Sequence, residues 1–139
     1  MKQSPTSRTL NMLRERGLTA QVVEKWLPLP NAKPGMPPGR RIDLFGVIDI
    51  VVAAGLGGIQ GWQACAAASF AARIDKAVAE PRLKVWLASG GRFYVIGWAL
   101  RGARGEVKRY KPNIVELRLR EGEVVRIDEE ALFTMGATG

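Results

Sequence analysis

An apolar, β-branched run from Phe45 to Ala54, closed by the glycines Gly55, Gly57 and Gly58 and resumed at Ile59, constrains this chain more than any other segment. Valine and isoleucine in succession predict a central strand, the glycines a tight turn, and Ile59-Gln60 the start of a hairpin partner. Two acids punctuate the run, Asp43 ahead of it and Asp49 within it. A buried, unpaired carboxylate is costly, so Asp49 needs a partner. A carboxylate at the start of one strand and a polar side chain, Gln60, on the next can converge on one point. Metal-dependent nucleases hold a divalent cation against a phosphodiester in this way.

The 139 residues suffice for one domain with one core, and the apolar share of 47% argues against disorder. Twenty-one Lys and Arg against thirteen Asp and Glu leave a net charge of +8, which points to an anionic partner such as nucleic acid. The competing reading is a merely solvated basic surface. The chain has no histidine, which removes the commonest general base and any Ser-His-Asp arrangement. Hydrolysis here has to rely on carboxylates, a metal, lysine or the substrate. The single cysteine, Cys65, sits in an alanine-rich run and reads as a small buried hydrophobe in a reducing compartment. The N-terminus lacks a signal core, and Gly46 to Ala54 is too short to span a bilayer, so a soluble cytoplasmic protein is expected.

Along the chain, Ser4 as N-cap, Pro5 in the first turn and Gly17 at the C′ position predict a first helix. Leu18 to Trp26 reads as a strand, with Val22, Glu24 and Trp26 on one face. Pro28 to Gly39, with five prolines and two glycines, reads as a long, exposed, mobile loop that carries Lys33 and runs into Arg40 and Arg41. A hairpin from Ile42 to Gln60 and a helix from Gln63 to Ala79, stopped by Pro81, follow. Leu83 to Ala88 and Arg92 to Leu100 read as strands joined at Ser89-Gly90-Gly91. Residues 101–127 read as a charged β-hairpin region with strands at Glu106 to Tyr110, Ile114 to Arg120 and Val124 to Ile127. Asp128 to Gly139 reads as a short helix and a tail. This order predicts an α/β domain with a mixed sheet and helices packed on it.

Glu24, between two apolar neighbours on its face, is either a sheet-rim residue or part of a site. Asp43 is a turn former or a ligand, and Asp49 a strand cap or a ligand. Arg73 and Lys76 are the wet face of a helix or contacts for a phosphate, and Arg40 and Arg41 are a solvated loop end or a grip on a nucleic-acid backbone. Trp62, Trp86 and Trp98 read as core or interface residues.

Ser4-Pro5-Thr6, Leu13-Arg14, Gly17, Val23-Glu24-Lys25-Trp26, Asp43-Leu44-Phe45-Gly46, Asp49 and Ile59-Gln60 occur together and in this order. Ala71-Ala72-Arg73-Ile74-Asp75-Lys76 and the run Trp86…Gly90-Gly91-Arg92…Gly97-Trp98 extend the set. So arranged, they resemble the small phage-borne relatives of archaeal-type Holliday-junction resolvases, within the PD-(D/E)XK nuclease superfamily. The resemblance spans Ser4 to Trp98. It implies a restriction-endonuclease-like fold and a homodimer that binds branched double-stranded DNA. It also implies a Mg²⁺ site, with Mn²⁺ as a substitute, that makes paired nicks in a four-way junction. Asp49 takes the place of the family's central aspartate, Gln60 that of its second acidic ligand, and Trp62 that of its lysine. Because Gln60 is neutral and Trp62 is no base, the expected site draws its charge from Glu24 and Asp43. Lys76 or Arg73 supplies the missing cation, and Lys33, Arg40 and Arg41 grip the DNA. A binding domain with little or no catalysis is the alternative.

Overall fold

Ser4 accepts a hydrogen bond from the Ser7 amide at 3.1 Å, and Pro5 needs no donor in the first turn, so the first helix, α1, starts there and spans Pro5–Glu15. Gly17, at φ +80°, ends it. The computed structural model describes residues 3–128. After α1 come β1 (Thr19–Val22), β2 (Lys25–Pro28), β3 (Gly39–Ile42), β4 (Ile50–Ala53), β5 (Ile59–Ala66), α2 (Phe70–Ala79), α3 (Pro81–Ala88), β6 (Arg92–Arg101), β7 (Arg109–Arg120) and β8 (Glu123–Asp128).

The described residues form an α/β domain around one mixed six-stranded sheet, in the order β1-β4-β5-β6-β7-β8. Only β5 and β6 are parallel, and their crossover carries α2 and α3. Side chains alternate across the sheet and fill two cores. On one face Leu13 of α1 packs with Ile50, Val52, Trp62, Tyr94, Ile96 and Trp98. On the other, Ile74 and Ala77 of α2 and Leu83 of α3 pack with Val47, Ile48, Cys65, Phe93 and Val95. Gly97 lets α2 approach, because a Cβ there would lie 2.7 Å from the Phe70 ring. Thr9 locks α1 down: its hydroxyl donates to Pro5 O at 2.8 Å and accepts from Trp98 Nε1 at 2.9 Å.

A separate two-stranded ribbon, β2-β3, carries the proline-rich segment at its tip. Trp26 crosses Gly39, where any Cβ would meet the indole at 2.4 Å. The predicted strand Leu18 to Trp26 is therefore two strands in two sheets, broken at Val23-Glu24. The predicted hairpin Ile42 to Gln60 is likewise divided. Gly39–Ile42 belongs to the ribbon, and a turn with Phe45 and Gly46 at φ 55° and 76° precedes β4.

Two other expectations are corrected. Gln63 to Ala66 extend β5 rather than opening a helix, because they pair in parallel with β6 from Gln63↔Val95 to Ala66↔Trp98. Leu83 to Ala88 is helical: Pro81 starts α3, with the Glu80 carboxylate accepting from the Arg82 amide at 3.1 Å. The strands foreseen at Glu106 to Tyr110 and Ile114 to Arg120 are largely one, β7. Asp128 closes β8; the rest of the helix and tail expected there lies outside the described residues. No helix among the described residues is long and apolar enough to cross a membrane.

Candidate metal centre

The site forms where β5 outruns β4. The Asp49 amide donates to Trp62 O at 2.9 Å, the last main-chain rung, and the Asp49 carboxylate accepts from the Ala64 amide at 2.9 Å. A side chain thus completes the ladder, which fixes the carboxylate against the sheet. Ile50 pairs with Trp62 at the end of β4, and Asp49, just before it, lines the same cavity as Gln63. Lys25 pairs with Ile42 at the base of the ribbon, and Glu24 and Asp43 are the residues next to that last rung.

Glu24, Asp43 and Asp49 each offer an oxygen within 4.8 Å of the others. They line one cavity with Thr6, Arg41, Gln63, Ala64, Arg73 and Lys76. Arg41 forms an ion pair with Glu24. Gln63 is 1% exposed and donates Nε2 to Asp43 Oδ2 at 3.4 Å. Its Oε1 is buried and has no partner. Turning the amide over would set that oxygen against the Asp43 carboxylate, so Oε1 remains the atom without a donor. Burial, the hydrogen bond with Asp43, and the charges of Asp43 and Glu24 push the Asp49 carboxyl up to about 8; the Ala64 amide opposes them.

Three carboxylates make an all-oxygen donor set, which would fit a small hard divalent cation such as Mg²⁺ or Mn²⁺ better than zinc. The foreseen residues Glu24, Asp43, Asp49, Arg41, Arg73 and Lys76 share this cavity. Lys33 and Arg40 do not line it and are exposed on the ribbon. Gln60 is not there either. It lies on the α1 face, where its Oε1 accepts from Trp62 Nε1 at 2.9 Å. Trp62 stacks on Tyr94 with ring centroids 4.5 Å apart. Gln63 takes the position expected for Gln60; the signal was its place three residues along the same strand, on the opposite face. The chain matches no protein-family model, no curated protein and no solved structure.

Proposed function

We propose that this protein is a divalent-metal-dependent endonuclease acting on DNA, with branched duplex as its substrate and a two-fold dimer as its working form. The observation that carries the reading is one cavity lined by three carboxylates, Gln63 and, from α2, the cations Arg73 and Lys76. Asp49, Asp43 and Glu24 would hold the ion, with the Gln63 amide beside them. When bound, it lowers the pKa of a water and offsets charge on the phosphate. Arg73 and Lys76 draw the scissile phosphate into the cavity and stabilise the negative charge that builds on it. Asp49, clamped by the Ala64 amide, keeps its oxygens in register through that change. Dimerisation supplies the second site that paired nicks on opposed strands require. Its surface cannot be Trp98, which is buried under α1.

A second reading, a DNA-binding domain without catalysis, is favoured by β5 itself: between Ile59 and Ala66 it carries no lysine. Incubation with labelled four-way junction, flap, fork and linear duplex, in Mg²⁺ and in EDTA, separates the two. Mg²⁺-dependent nicking of branched DNA supports the nuclease. Binding without any nicking in Mg²⁺ or Mn²⁺ leaves the second reading.

A further inference from the structure

The β6-β7 hairpin runs past the end of β5, and its outer part is charged in a way that folding does not favour. Arg101 stands directly opposite Arg109, and Ala99 opposite Lys111. Like charges facing one another across a ladder cost stability. Arg104 sits in the turn and Lys108 just after it; the turn is closed by the Glu106 amide donating to Ala103 O at 2.9 Å, with Gly105 at φ +87°. All five cations are exposed, and none forms an ion pair among the described residues. Glu106 is the single acid from Arg101 to Lys111.

Their placement is directional. Phe93 and Val95 point to the α2 face, so by alternation Ala99 and Arg101 do too, as do their partners Lys111 and Arg109. Asp49 and Gln63 lie on this same face. Ala64 is level with Ile96, so Arg101 lies five residues further out, about 17 Å along the strand. On the other face Arg8 stacks on Tyr110, its guanidinium 3.7 Å from the ring centroid, which ties the hairpin to α1.

The geometry points to a second phosphate-binding surface, in which Arg101, Arg109 and Lys111 clamp the backbone of a nucleic-acid duplex beside the cavity. A two-stranded ribbon is of a width that duplex grooves admit, and the charges follow one strand face as phosphates follow one backbone. An anionic membrane is the poorer fit. The exposed apolar residues of the outer hairpin are two, Leu100 and Val107, against five cations, and Tyr110 lies under Arg8. The inference concerns binding and stands whether or not the cavity cleaves.

The test is binding of the full chain to a labelled linear duplex in EDTA, titrated with NaCl. The triple variant Arg101→Ser, Arg109→Ser, Lys111→Ser should flatten the slope of log affinity against log salt by about 2.7, since each phosphate contact contributes about 0.9. The triple variant Arg16→Ser, Lys84→Ser, Arg120→Ser removes the same charge elsewhere and should leave the slope close to that of the parent. Arg109→Glu keeps the parental fold or melts higher at low salt, because it pairs with Arg101, while it weakens duplex binding. An unchanged slope in the hairpin variant, or an equal loss in the control, overturns the proposal. So does parental binding to phosphatidylserine–phosphatidylcholine vesicles in preference to DNA. Loss of the slope in a parent that never nicks DNA would retain the clamp and remove the nuclease.

Discussion

The Asp49 carboxylate takes the Ala64 amide as a main-chain carbonyl would, at 2.9 Å, so one residue serves both the sheet and the candidate ion site. The two roles can be pulled apart. Asp49→Asn keeps an oxygen for the Ala64 amide and loses the charge. Mg²⁺-dependent cleavage should fall by more than about 100-fold, since even outer partners of a metal ligand are worth 10–100-fold, with DNA binding retained. Asp49→Ala should add a stability loss of about 1–3 kcal/mol from the amide left without its partner. Near-parental cutting by Asp49→Asn would falsify the site.

The two glutamines make a sharper contrast. Gln63→Leu removes the unpartnered oxygen and should weaken Mg²⁺ binding by about tenfold or more, read by titration in a calorimeter. Gln60→Leu leaves Mg²⁺ affinity alone. It strands Trp62 Nε1 in the α1-face core, so it should lower the denaturant midpoint by an amount equivalent to about 1–3 kcal/mol. If Gln60→Leu proves the metal-binding defect instead, the assignment across the sheet is reversed.

Acidity gives a third handle. The Asp49 carboxyl rises from 3.8 to about 8 on folding, chiefly through burial. Between those values the folded chain keeps a proton that the unfolded chain has released. Metal-free stability is therefore fullest at low pH and declines as pH climbs towards 8, by at most about 1.4 kcal/mol per unit from this group. Melting temperatures in EDTA should show that decline in the parent and a shallower one in Asp49→Asn. A divalent ion competes with the same proton, so Mg²⁺ affinity should increase over the same window. Equal slopes in parent and variant would locate the titration elsewhere.

Arg41 forms an ion pair with Glu24, one of the three clustered carboxylates. Arg41→Ser should free that carboxylate and tighten Mg²⁺ binding several-fold while weakening DNA binding. Tightening of both would remove Arg41 from the phosphate contacts.

How much of this could be read beforehand depended on periodicity. Asp49 stood out as an acid inside a β-branched run, whereas Asp43, Glu24, Arg73 and Lys76 read equally as turn, rim or helix-surface residues and joined the expected site through the family resemblance. Gln63 was hidden because β5 is buried on both faces and rich in alanine, so its last four residues carry no alternation and favour helix locally. Pro81 is equally ambiguous, as proline both ends one helix and begins the next. The ribbon escaped notice because its rungs run from Lys25↔Ile42 to Pro28↔Gly39, four residues a side, with a proline and a glycine at the last. The pairing of β5 with β6 is a long-range parallel contact that no local pattern encodes.

The ribbon is inserted between β1 and β4, which are themselves neighbours, so it leaves and re-enters the sheet at adjacent points. Glu24 and Asp43 sit at its two roots, whereas Asp49 and Gln63 belong to the sheet. Two carboxylates thus reach the cavity from outside the sheet. Their spacing from Asp49 and Gln63 is set by how the ribbon's roots are tied down, through Val23 N to Asp49 O at 2.8 Å and Gln63 Nε2 to Asp43 Oδ2 at 3.4 Å, and not by the ladder of the sheet.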